Sequence, residues 1–247
     1  MTPEPSAENA APPLGEAGRI TGVFIDPKKA FADIAARPSW IVPLVLLIVV
    51  GLAFTYIFTT RIGWDRYFHQ IAETNTRMQQ LDAQARENAI QMQSKFAPIG
   101  GYVFSVIGTA LAALIVGGVI VLISKMAGAS LKFKQTFAIG AWAMLPRFIA
   151  GILAIVVMFI KNPEDFNLQN PLAFNLGAFM EPPPNSGKFI YSLATSIDLF
   201  TIWSILLVAV GISVAARKVP FSKAVVLVVG FWLIWVLAAS GLAGMFS

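Results

Sequence analysis

The chain has no cysteine and a single histidine, His69, in 247 residues. Without thiols there is no disulfide, no thiolate nucleophile and no cysteine-held metal, and one imidazole cannot make a histidine metal cluster. Charge is also scarce. Only 13% of residues are charged against 57% hydrophobic, and the mean hydropathy is +0.72. That balance lies outside the range of soluble globular domains and fits a polytopic membrane domain. No Gly-rich phosphate cradle, carboxylate dyad, metal-ligand spacing or Ser-His-Asp set occurs, so no residue is given a catalytic, cofactor or metal role and the chain reads as a non-enzyme. A cleavable leader is not expected either, since the first apolar run begins only near Trp40, behind a polar, Pro-rich segment. Targeting is expected to rely on the first membrane helix.

The net charge is +5 and the pI near 9.6. Because the lysines and arginines cluster at the ends of apolar runs, where they anchor and orient membrane helices, no nucleic-acid partner is expected. Residues 1–18, with Pro3, Pro5, Pro12 and Pro13, read as a disordered tail. A short helix follows, capped by Asp26 with Pro27 in its first turn, placing Ala30, Phe31 and Ile34 on one face; it reads as an interfacial helix lying on the membrane.

The fold class expected is an all-α integral membrane bundle of five helices over 19–247, with spans near 40–60, 99–123, 136–160, 189–215 and 224–245. Between the first two spans, Trp64, Tyr67, Ile71, Thr74, Met78, Leu81, Ala85, Asn88 and Met92 keep a three-four spacing. That pattern predicts a long extramembrane helix continuing from the first span or into the second. In the second span Gly101, Ser105, Thr109, Ala113 and Gly117 recur every four residues, forming a ridge of small side chains suited to a close helix contact within the chain or in a dimer. The polar loop over 161–188 carries enough apolar residues, Phe166, Phe174 and Phe179 among them, to place part of it at the bilayer surface. The fourth span is the most polar, with Ser192, Thr195, Asp198, Thr201 and Ser204 at every third position.

In the third span Arg147 follows Pro146 within an apolar segment. A guanidinium at that depth costs about 2.5 to 3.5 kcal/mol and demands a partner or a wet cavity. Pro146 should kink the helix beside it. At 1.5 Å per residue, Arg147 falls about 17 Å from one boundary and Asp198 about 14 Å from the other, nearly the same depth in a core about 30 Å thick. An intramembrane ion pair between Arg147 and Asp198 is expected.

The stretches Val23-Phe24-Ile25-Asp26-Pro27-Lys28-Lys29-Ala30-Phe31, Arg37-Pro38-Ser39-Trp40 with Pro43, residues 128–137 ahead of Leu145-Pro146, and Asp198-Leu199-Phe200 with Trp203 resemble the bacterial branch of the Yip family, membrane proteins named for interacting with Ypt/Rab GTPases. The resemblance covers roughly residues 20–246 and implies five transmembrane helices with a cytosolic amino terminus. Eukaryotic relatives bind Rab GTPases through a cytosolic amino-terminal region, but the Asp-Leu-Tyr-Gly-Pro motif of those relatives is missing and Phe24 to Pro27 is the nearest stretch. The membrane fold therefore carries over and GTPase binding is left in doubt.

Two functions of different class remain. The first is a scaffold or membrane-organising protein that acts through helix, lipid and protein contacts, with membrane lipids and a second copy or another membrane protein as partners. The other is a small transporter or channel that uses Arg147 and Asp198. Two short loops with three cations each, Lys125, Lys132 and Lys134 in one and Arg217, Lys218 and Lys223 in the other, favour a cytoplasmic amino terminus and an outer carboxyl terminus, and the resemblance implies a bacterial inner membrane.

Overall fold

In a computed structural model, which describes residues 13–181, 183 and 186–245, the chain opens with a helical hairpin. Helix α1 (Glu16–Ile25) leads into α2 (Pro27–Ala36), where Asp26 accepts from the Lys29 N–H and Pro27 occupies the first turn. Residues 16–18, expected in the tail, are thus helical, while residues 1–12 of that tail lie outside the described residues. The apolar face expected to anchor this helix on the membrane is turned into the bundle instead. Ala30, Phe31 and Ile34 are fully buried in a cluster with Ile139, Trp142 and the stretch Leu207 to Ile212. A row of large apolar side chains on one face of a ten-residue helix is removed from water and lipid alike in this crevice, while Lys28, Lys29, Ala32 and Ala36 on the other side stay exposed.

Helix α3 (Ile41–Ile57) runs into a π turn at Phe58–Ile62 that stops at Gly63, whose φ of +86° suits only a residue without a Cβ. Then come α4 (Trp64–Thr74), α5 (Thr76–Gln79), α6 (Ala83–Val103), a π turn at Phe104–Gly108 and α7 (Thr109–Met126). The long extramembrane helix is therefore split. Asn75 Oδ1 accepts from the Arg77 and Met78 N–H groups, and Asp82 Oδ1 from that of Ala85. These side chains compete for the backbone and start new helices. The result is that α4 folds back and packs along α6. From Ala83 onward the helix does continue into the second span, as one 44-residue segment to Met126.

Helix α8 (Phe133–Ala143) and α9 (Leu145–Ile160) are divided at Met144, with Pro146 in the first turn of α9. The expected kink is thus one turn of broken helix, placed just ahead of the proline that cannot donate to the preceding turn. After the loop over 161–187 come α10 (Lys188–Ser196), α11 (Leu199–Ala215) and α12 (Phe221–Met245).

Four segments are long and apolar enough to cross a membrane: Ile41–Ile62, Ala83–Met126, Phe133–Ile160 and Phe221–Leu242, with Leu199–Ala215 a shorter apolar helix. The fourth expected span is interrupted, because the chain is extended at Ile197 and Asp198. There the loop enters the bundle: the Leu176 N–H donates to Ile197 O (3.3 Å) and the Leu199 N–H to Phe174 O (3.0 Å). Inside a bilayer such a break is tolerated only where protein supplies the missing backbone partners, and here the loop supplies them.

The hairpin, the α7–α8 loop and the α11–α12 loop meet at one end of the bundle. Lys223 Nζ donates to Ala127 O at 3.2 Å and Gln135 Nε2 to Ala35 O at 3.0 Å. At the opposite end Arg61 Nε donates to Met158 O (2.6 Å) and its guanidinium stacks over the Phe159 ring, closing the carboxyl end of α9.

Candidate functional site

Arg147 and Asp198 line the same half-open cavity, of about 800 Å³, between α3, the π turn at Phe104–Gly108, α9, the α10–α11 break and the inward loop. They share the cavity and are not paired. Among the described residues no ion pair joins them, and the guanidinium of Arg147 has no hydrogen-bond partner. The expectation of a buried pair treated Asp198 as a side chain on a continuous helix. Because the helix breaks there, its Oδ1 instead accepts from the N–H groups of Phe200 (2.9 Å) and Thr201 (3.0 Å) and caps α11. Its Oδ2 has no partner among the described residues.

The remaining polar side chains at this cavity are engaged in holding it together. Asn175 Nδ2 donates to Asn170 Oδ1 (2.6 Å) and Leu172 O (2.9 Å), and Thr195 Oγ1 to Ser192 O (3.1 Å). Gln169 bonds the phenol of Tyr67 on α4, outside the spans; burial pushes that phenol above its usual pKa and the hydrogen bond pulls it partly back. Just beyond, Phe166 is fully buried against Phe58, so the expectation that this loop lies on the bilayer surface holds at most for its exposed residues such as Phe179.

A second polar cluster was not foreseen. Arg19 is only 5% exposed and sits at the base of the hairpin. Its Nε donates to Asp33 Oδ2 (2.7 Å), Nη1 to Ser39 Oγ (2.6 Å) and Nη2 to the Arg37 carbonyl (3.0 Å), and Asp33 also pairs with Arg37. The Ser39 carbonyl in turn accepts from Trp142 Nε1 at 2.8 Å, tying the hairpin to α8. A spacing of 14 residues between Arg19 and Asp33 follows no helical period. The one local signal is the pair of small residues Gly22 and Ala30, where a Cβ on Gly22 would meet that of Ala30 at 3.1 Å and which lets α1 and α2 approach.

The small-residue ridge faces two different helices. At one end a Cβ on Gly101 would lie 2.8 Å from Thr55 Cγ2, and Ser105 Oγ is 3.3 Å from Thr55 Oγ1 on α3. At the other end a Cβ on Gly117 would lie 2.9 Å from the Phe137 Cα of α8, and Ala113 is fully buried between Leu44, Leu47 and Ala141. Thr109 sits between these contacts and donates to Ser105 O at 2.7 Å. Among the described residues no group of His, Cys, Asp and Glu could hold a metal ion.

A family model described as Yip1 domain matches residues 21–243. That match runs from within α1 into α12, so it takes in the cavity and, of the hairpin cluster, Asp33, Arg37, Ser39 and Trp142 but not Arg19. No curated protein and no solved structure gives a match to the chain.

Proposed function

Since the chain belongs to the Yip1 domain family, we propose that it works without catalysis, as a scaffold or membrane-organising protein that acts through helix, lipid and protein contacts. The observation that carries this reading is how the polar side chains within the bundle are used. Thr55 with Ser105, Ser192 with Ser240 and Trp142 with Ser39 each join two elements, and Asp198 starts a third. Polar groups spent on joining helices leave an outer surface of apolar side chains, Val103, Ile107, Leu111 and Ile115 on α6–α7 among them, which meets lipid or another membrane helix.

Five crossings follow if α10 and α11 together make the fourth. The hairpin and the two basic loops that gather at one end support a cytoplasmic amino terminus and an outer carboxyl terminus, and the resemblance to the bacterial branch of the family supports a bacterial inner membrane. Partners on this reading are membrane lipids and a second copy or another membrane protein. Cross-linking in native membranes should trap the chain with itself or a membrane partner. Purified protein in sealed liposomes should pass no ion or small solute above the protein-free background. A flux that Arg147→Ala abolishes would replace this reading with transport.

A further inference from the structure

The cavity holds one positive and one negative group that do not touch, and this is unusual among the polar contacts of the bundle. Asn170, Asn175, Gln169 and Thr195 are already engaged. What is left facing the space is the guanidinium of Arg147, with its fork of donors, and Oδ2 of Asp198, an acceptor only. Arg147 is exposed and Asp198 part-buried, so within a membrane-spanning bundle each charge needs a polar partner wherever lipid reaches it, and the two do not relieve each other by closing up because Asp198 is held as the cap of α11.

A lone anion on Arg147 would face the carboxylate of Asp198, and a lone cation on Asp198 would face Arg147. A molecule carrying both signs satisfies both. The space, about 800 Å³ and half-open, exceeds what an ion or a few waters occupy. The walls are mostly apolar, with Phe54, Ala150, Ala154 and Leu172 beside the two charges. Phe104, in the π turn between α6 and α7, lines the cavity and is also 75% exposed on the apolar outer face, so the space borders the surface that meets lipid.

We propose that the cavity binds a zwitterionic amphiphile of the phosphatidylethanolamine kind, with its phosphate forked onto the Arg147 guanidinium, its ammonium on Asp198 Oδ2 and its chains along Phe54 and Phe104. This deepens the contact reading by naming the lipid class, and it rests on that reading. The headgroup chemistry is shared with free phosphoethanolamine, so the source is part of the test.

The full chain, purified in detergent and stripped of lipid, is titrated with phosphatidylethanolamine and with phosphatidylglycerol while bound lipid is counted by native mass spectrometry. Phosphatidylethanolamine should bind about tenfold more tightly than phosphatidylglycerol, the loss of one charge contact. Asp198→Asn keeps the helix cap, since asparagine caps as well as aspartate, and removes only the charge. Its melting temperature should stay within a few degrees of the parent while the preference disappears. Arg147→Gln should lose both lipids, and Arg147→Lys should recover part of the binding. Equal binding of the two lipids by the parent, or a preference untouched in Asp198→Asn, overturns the site. Free phosphoethanolamine should fail to displace the lipid at equal concentration. Displacement would assign the cavity to a soluble ligand and overturn the lipid assignment. A parent chain that binds the two lipids equally while its cross-linked partners are still trapped would sink this inference alone, whereas flux in liposomes would sink the contact reading.

Discussion

Two arginines stand at the two ends of this fold's electrostatics. Arg19 is nearly sealed off and spends its guanidinium on Asp33, Ser39 and the Arg37 carbonyl. Arg147 lies in the middle of an apolar segment and spends its guanidinium on nothing among the described residues. A buried charge with a full set of partners is part of the framework, because moving it costs both desolvation and several hydrogen bonds. A charge beside a cavity with no partner does not hold the fold, so its retention points to something that arrives there.

The sharpest way to break this contrast is to remove each arginine in turn. Arg19→Met leaves Asp33 with Arg37 and the Leu14 N–H and should cost about 3 kcal/mol, read as a lower midpoint of thermal unfolding in detergent. Arg147→Met should change stability by less than about 0.5 kcal/mol, as expected for a side chain without partners. Equal losses would mean that Arg147 pairs in the membrane and that the cavity is closed there.

A smaller effect tests how tightly the hairpin end is packed. A Cβ on Gly211 would overlap Ile139 Cγ2 and lie 3.1 Å from the Phe31 ring, and one on Gly117 would press on the Phe137 backbone. Gly211→Leu and Gly117→Leu should each destabilise by about 1 to 3 kcal/mol. Gly118→Leu, where nothing lies within 4 Å of the added Cβ, is the control and should be neutral. If Gly211→Leu is as mild as Gly118→Leu, the hairpin is not wedged between α8 and α11.

The smallest effect concerns the break at Asp198. Asp198→Ala should lose about 1 kcal/mol with the cap of α11, and Asp198→Asn should lose almost none, because either side chain accepts from the Phe200 and Thr201 N–H groups. Equal losses in both variants would show that the charge of Asp198, and not its cap, supports the fold.

Much of this was legible in the chain. The capped start of α2 at Asp26 and Pro27 is local chemistry, and so is the interruption beside Pro146. The small-residue repeat from Gly101 to Gly117 marked a face that approaches its neighbours closely, but not that one end meets α3 and the other α8. The seam from Trp64 to Met92 was misleading as a single helix and marked the packing face only in part, since Trp64, Tyr67 and Met78 are part-buried while Leu81 and Met92 are exposed and the buried residues are Ala72 and Ile90. A three-four spacing is kept when a helix folds back on its own continuation, and Asn75 and Asp82 decide where it folds.

Hydropathy and spacing along the chain thus determined that it is helical, that it is a membrane protein and which faces of its helices pack, because apolar runs and period-3.6 patterns report burial directly. Tertiary structure alone decided the use of each charge. Whether Asp33 meets Arg19, and whether Asp198 meets Arg147 or caps a helix, depends on where the hairpin wedges and where the loop from Phe174 to Leu176 enters the bundle. Those contacts join residues 14 to more than 20 positions apart with no period, and no window of sequence carries them.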